Sequence, residues 1–166
     1  MNRSRALSMS GGGMAYQATG WYWEDFQIGY SQDSEERVIT KEDVDAFARL
    51  SEDTNPLHVE EAYAREGPFG KLVAHGMLIL SATTGLTCRT GRFRGTTLAF
   101  VSLSARFIRP VYFGDRIHCK MKVKDKKEDP RNPAQGTVYF DVRVRNQNGE
   151  LVAQSDWALL MKRKPA

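Results

Sequence analysis

The feature that most restricts the fold is a change of hydrophobic period close to residue 95. Upstream of it, His75 to Leu86 is apolar or small nearly all round, which predicts a helix buried on most of its sides. Downstream, the period becomes two. Leu98, Phe100 and Ser102 alternate with Val101, Leu103, Ala105 and Phe107. Ile117, Cys119, Met121 and Val123 alternate with His118, Lys120, Lys122 and Lys124, which places His118 on the solvent side. Val138, Phe140, Val142 and Val144 alternate with Tyr139, Asp141, Arg143 and Arg145, and a last strand spans about Leu151–Met161. Asn148-Gly149 marks a tight hairpin, and Lys126–Gln135 reads as a longer hairpin loop. A long apolar helix followed by a four-strand meander predicts an α+β fold in which a curved antiparallel sheet wraps the helix.

The upstream part adds smaller elements. An aromatic opening, Trp21 to Phe26, leads to a first strand near Ser31–Ile39. Thr40 and Asp43 are spaced as a helix start, although Glu or Gln is the usual partner. Val44, Phe47 and Ala48 continue that helix, which stops near Asp53 because Asn55 precedes a proline. A short helical piece at Glu60–Arg65 and a Gly67–Gly70 loop complete the set. Residues 1–20, with Arg3, Arg5, three consecutive glycines and no acid, read as a flexible extension before a domain at 21–164. Its composition is shared with mitochondrial presequences, so a mitochondrial location stands as the alternative to a cytoplasmic one.

A chain of 166 residues is one domain, able to bury about 70% of its unfolded surface without staples. No apolar run reaches the roughly 18 residues of a membrane span. Cys88 and Cys119 form no C-x-x-C pair, so both are expected as buried free thiols, with no disulfide scaffold and no structural zinc. Residues 1–100 carry 10 Lys and Arg against 13 acids; residues 101–166 carry 14 against 7. The basic half suits a phosphate-bearing partner, yet no nucleic-acid motif is present and most of the charge alternates along strands.

Two segments carry possible chemistry. In Asp53-Thr54-Asn55-Pro56-Leu57-His58 the acid and the imidazole are five residues apart. A continuous helix would turn them apart by roughly 140°. The Asn55-Pro56 break instead turns the chain, and a carboxylate facing an imidazole can activate one water. An ordinary Asx-turn at Asp53 explains the same residues. The second segment is Ala74-His75-Gly76, at the start of the apolar helix. Free N–H groups there, with no side chain on Gly76, could receive a ligand carbonyl, or the segment is a plain helix start.

Taken together and in order, these residues resemble the MaoC-like dehydratases, also called R-specific enoyl-CoA hydratases. The resemblance runs from about Tyr22 to Lys162. It includes Gly29, the D-x-N-P-x-H element at 53–58, Tyr63-Ala64, Ala74 to Leu78, Arg109-Pro110-Val111 and Gly114-Asp115. It implies a hot-dog fold, usually a homodimer, and reversible hydration of a trans-2-enoyl-CoA to the (R)-3-hydroxyacyl-CoA. It implies that Asp53 and His58 hold and activate the water while the Gly76 N–H polarises the thioester carbonyl. Asn55, His75, Ser81 and Thr84 are expected around the substrate. Thr84 stands where some members carry a supporting serine, which leaves that support in doubt. His75 suits a helix cap or pocket wall. Arg106 and Arg109 are preferred, among Arg89, Arg92 and Arg94 as well, for the coenzyme A phosphates. No metal or redox cofactor is expected, nor a nucleic-acid or membrane partner.

Four alternatives compete. A catalytic zinc needs about three ligands, and no H-E-x-x-H or cysteine cluster supplies them. A Ser-His-Asp hydrolase lacks the G-x-S-x-G elbow. A hot-dog acyl-CoA thioesterase and a silent acyl-CoA-binding subunit keep the fold and change the chemistry; the D-x-N-P-x-H element argues against the first, since related thioesterases generally lack it, and the intact Asp53–His58 pair weakens the second.

Overall fold

Helix α4 (Gly76–Arg89) lies against a six-stranded antiparallel sheet, and the packing of one on the other forms the core. The computed structural model describes residues 16–165. In chain order the elements are a 3-10 turn at Trp23–Asp25, β1 (Ser31–Asp33), β2 (Arg37–Val38), α1 (Lys41–Ser51), α2 (Pro56–Val59) and α3 (Glu61–Glu66). After α4 come β3 (Thr97–Phe107), β4 (Arg116–Glu128), β5 (Gln135–Asn146) and β6 (Leu151–Lys162). The sheet order is β1-β4-β5-β6-β3, with β2 also paired to β4. Alternate residues of β4 and β5 (Ile117, Cys119 and Val123; Val138, Phe140, Val142 and Val144) point inward onto Leu78, Ile79, Ala82 and Leu86 of α4. That alternation is the period-two signal made physical.

Helix α1 begins where the sequence places it. Thr40 Oγ1 accepts the Asp43 N–H at 3.2 Å, and Asp43 Oδ2 accepts the Thr40 N–H at 3.1 Å. Aspartate thus closes the capping box in place of Glu or Gln. The helix ends at Ser51 because Glu52 takes a left-handed conformation, φ 60°.

Several expectations are corrected. The single strand Ser31–Ile39 is two short strands. The Ser34 hydroxyl accepts the Cys119 N–H at 2.9 Å, standing in for a backbone carbonyl and interrupting the ladder. The hairpin loop is shorter than Lys126–Gln135, since β4 continues to Glu128. Residues 1–15 of the expected extension lie outside the described residues, but Thr19 and Gly20 donate to the Arg94 carbonyl, so the folded part begins before Trp21. His118 is half-buried, its Nδ1 enclosed without a partner among the described residues.

The largest correction concerns α4. Met77, Ser81, Gly85 and Cys88 form an exposed stripe along it, with Thr84 half-buried beside them. Cys88 is therefore exposed; only Cys119 is buried, where desolvation pushes its thiol up. Strand β3 is open as well. It pairs with β6 alone and leaves Leu98, Phe100, Val101, Leu103 and Phe107 exposed. Among the described residues no element of the chain covers these apolar positions. No helix among the described residues is long and apolar enough to cross a membrane.

Candidate active site

The loop after α1 builds one side of the site. Beyond the left-handed Glu52, Asp53 faces outward and its Oδ1 accepts the Asn55 N–H at 3.3 Å. Asn55 then caps α2, its Oδ1 accepting the Leu57 N–H at 3.1 Å, and Pro56 occupies the first helical position, where a missing N–H costs nothing. The Asx-turn and the carboxylate–imidazole approach are thus one construction. The turn folds the chain back so that His58, in α2, faces the entrance of α4.

The segment before α4 builds the other side. Val73 bridges Tyr112, and the Ala74 N–H donates to the Val111 carbonyl at 2.8 Å. The Val73 carbonyl accepts from His58 Nδ1 at 2.7 Å. A carbonyl has no proton to give, so Nδ1 carries the hydrogen and Nε2 is the proton-accepting nitrogen of the neutral ring. By the same reasoning His75 Nε2 donates to the Asp53 carbonyl at 2.9 Å. The two imidazoles stack, centroids 3.8 Å apart and 29° from parallel. Asp53, His58 and His75 each bring one ligand-type atom within 4.8 Å of the others. That spacing would also suit a metal ion, since each imidazole donates through one nitrogen and keeps the other, His58 Nε2 and His75 Nδ1, without a hydrogen-bond partner among the described residues.

Gly76, the first residue of α4, presents an N–H with no acceptor among the described residues. The helix dipole adds partial positive charge there. Asp53, His58, Gly76, Met77, Phe107 and Arg109 all line one cleft, open to solvent and of about 370 Å³. Its remaining walls are largely apolar, as expected of a site for a small organic group. A far tighter space of about 20 Å³ lies toward the other end of α4, walled by Phe26, Phe93 and Phe140. No carboxylate–imidazole pair faces that space, so the chemistry, not the enclosure, makes the cleft the candidate site.

The other expected site residues are placed as follows. His75 is buried at the cleft wall. Asn55 lies outside the cleft, engaged as the α2 cap. Ser81 lies on the open stripe of α4, and the Thr84 hydroxyl donates to the Ser81 carbonyl at 2.7 Å. Arg109 reaches the cleft, donating to the Leu151 carbonyl at 3.0 Å and pairing with Glu150 at 3.7 Å. Arg106 is exposed and outside it. Sequence reasoning missed Val73 and Phe107. Val73 acts through its carbonyl, which every residue has, so its identity carries no signal. Phe107 looked like one more alternating strand residue.

Residues 25–146 match the family described as MaoC like domain. An (R)-specific enoyl-CoA hydratase of Aeromonas caviae is 39% identical over 114 residues, 69% of this chain and 80% of that protein. A 3-hydroxybutyryl-CoA dehydratase of Methylorubrum extorquens is 32% identical over 107 residues, 63% of this chain; the match spans 64% of that protein's length, less than two thirds. Among solved structures, a monoamine oxidase regulatory protein from Archaeoglobus superposes with a TM-score of 0.82 at 33% identity, over 88% of this chain and 97% of its own. A MaoC-like dehydratase from Rhodospirillum rubrum gives 0.76 at 25% identity, over 89% and 100%.

Proposed function

This chain belongs to the MaoC-like dehydratase family, and from that premise we propose that it reversibly hydrates a trans-2-enoyl-CoA to the (R)-3-hydroxyacyl-CoA. Its fold is the hot dog. The observation that carries the reading is the convergence of Asp53, His58 and the Gly76 N–H on one cleft. The names borne by the Aeromonas and Methylorubrum relatives support the same chemistry.

In the hydration direction, the thioester carbonyl accepts a hydrogen bond from the Gly76 N–H. That draws electron density from C3 and stabilises the enolate-like transition state. One water sits between the Asp53 carboxylate and His58 Nε2. Its oxygen bonds to C3 while one of its protons passes to Nε2. The C2–C3 double bond breaks and its electrons reach the thioester oxygen. The proton on Nε2 then moves to C2 on the same face, and one water has been added in full. The Val73 carbonyl fixes the ring orientation throughout by holding Nδ1–H. The addition is redox-neutral and draws on the chain's own groups. Arg109, at the cleft, is the arginine best placed to meet a phosphate of coenzyme A; Arg106 is the weaker candidate. Asn55 shapes the loop that carries Asp53, while Ser81 and Thr84 stay candidates for supporting the substrate from α4. The uncovered β3 edge and α4 stripe fit a second copy of the chain, joining sheets edge to edge.

The test is loss of enoyl-thioester absorbance with crotonyl-CoA, run beside Asp53→Asn and His58→Ala. Hydration by the parent, reduced by about a hundredfold or more in both variants, supports the reaction and the pair. Thiol release without hydration would replace this reading by thioester hydrolysis. Binding with neither would replace it by a silent acyl-CoA-binding role.

A further inference from the structure

We propose that His75 is a positioning residue that sets the Asp53 carboxylate against both His58 and the Gly76 N–H; the proposal rests on the hydratase reading above. The imidazole is 1% exposed, packed between the His58 ring and Phe47, whose ring centroid is 5.1 Å away. It does not cap α4 with its side chain. Its one hydrogen bond goes across the cleft wall, from Nε2–H to the Asp53 carbonyl.

Among the described residues Asp53 makes no other hydrogen bond outside its own loop. Its N–H reaches Ser51 Oγ at a long 3.3 Å, and its carboxylate takes the Asn55 N–H. Among the described residues, the bond from His75 is the one hydrogen bond that reaches Asp53 from outside its loop. The residue that supplies it immediately precedes Gly76. One side chain therefore fixes the distance between the water-activating carboxylate and the N–H that receives the thioester oxygen. A misplacement of about 1 Å between such groups costs on the order of a hundredfold in rate, while leaving substrate affinity nearly intact. The stack on His58 adds the second constraint, since it confines the plane in which Nε2 points.

The role can be separated from packing by reach. A glutamine at 75 carries an N–H about as far from the backbone as imidazole Nε2; an asparagine is one methylene short, and leucine has no donor. Three variants, His75→Gln, His75→Asn and His75→Leu, are compared for kcat and KM with crotonyl-CoA, and their crystal structures are solved. The expected result is a kcat lowered roughly a hundredfold in the Asn and Leu variants, KM within about threefold of the parent, and recovery to within about tenfold in the Gln variant. In the crystals Asp53 is displaced in the first two and in place in the third. Equal losses in all three, a raised KM with unchanged kcat, or no loss at all would overturn the proposal. If His75→Leu does not fold, the Gln and Asn pair decides. If the parent hydrates no enoyl thioester, the hydratase reading fails by itself, and the position of Asp53 in the crystals still decides what His75 does.

Discussion

The ring of Phe107 closes over the place where Gly76 has no side chain: a Cβ there would lie 2.8 Å from its ring carbons. The contact joins the end of β3 to the entrance of α4. The glycine is needed for space, not for backbone freedom, because its φ is ordinary.

Gly76→Ala is therefore expected to fold. The Phe107 ring is more than half exposed and can swing aside, so stability should change by less than about 1 kcal/mol. The displaced ring and the new methyl both intrude where the proposed mechanism brings the thioester carbonyl. Hydration of crotonyl-CoA should fall roughly tenfold or more, as when an oxyanion donor is obstructed. A variant with parental kcat/KM would remove Gly76 from the mechanism.

His58→Asn separates the anchor of the ring from its base. The asparagine amide can still donate to the Val73 carbonyl, but nothing replaces Nε2. Thermal unfolding should stay close to that of the parent, while hydration drops by about two orders of magnitude or more. Activity retained in this variant would mean that Nε2 is not the proton acceptor.

Acid should loosen the attachment of the N-terminal 3-10 turn to the end of β6. Burial pushes the Glu24 carboxyl up, but hydrogen bonds from Arg163 Nε (2.7 Å) and the Lys164 N–H (3.0 Å) outweigh it and hold the group below its ordinary 4.5. Asp25 follows the same pattern, with Lys164 as partner. A carboxyl lowered in the folded state stabilises it above the unfolded pKa, and that contribution is lost as pH falls through the folded one. Melting temperature should thus decline from about pH 5 downward, and Glu24→Gln should lower it near neutrality while flattening that decline. Parallel curves for parent and variant would show that Glu24 contributes nothing to acid sensitivity.

A charge on the open edge should separate the expected pair of copies. Leu103 is 40% exposed on β3 in the single chain, opposite Trp157 of β6. Leu103→Lys would bring two ammonium groups to one apolar contact around a two-fold axis. Sedimentation should give a dimer for the parent and a monomer for the variant at micromolar concentration. A monomeric parent would leave the β3 edge to some other partner.

Much of the fold was legible because burial imposes a period. Val138 to Val144 could not alternate with Arg143 and Arg145 unless one face met a core, and Asn148-Gly149 could not lie within a strand. The α4 helix was legible as apolar, but its degree of cover was not. Met77, Ser81 and Cys88 have the size and polarity of buried residues, yet whether anything covers them depends on partners that no local pattern records. The break in the first strand was hidden because Ser34 makes it with a hydroxyl, bonding a residue 85 positions away.

The site divides along the same line. Residue types and spacing determined which groups are present: an acid and an imidazole either side of an Asn-Pro turn, and a glycine opening an apolar helix. These are consequences of local chain stiffness and of side-chain chemistry, both written in neighbouring residues. Only the tertiary structure decided which nitrogen of each imidazole holds a proton, because the Val73 and Asp53 carbonyls that decide it are 15 and 22 positions away. Backbone carbonyls are chemically alike in every residue, so sequence cannot single one out as a partner. Folding selects it by bringing the α2 turn against the entrance of α4.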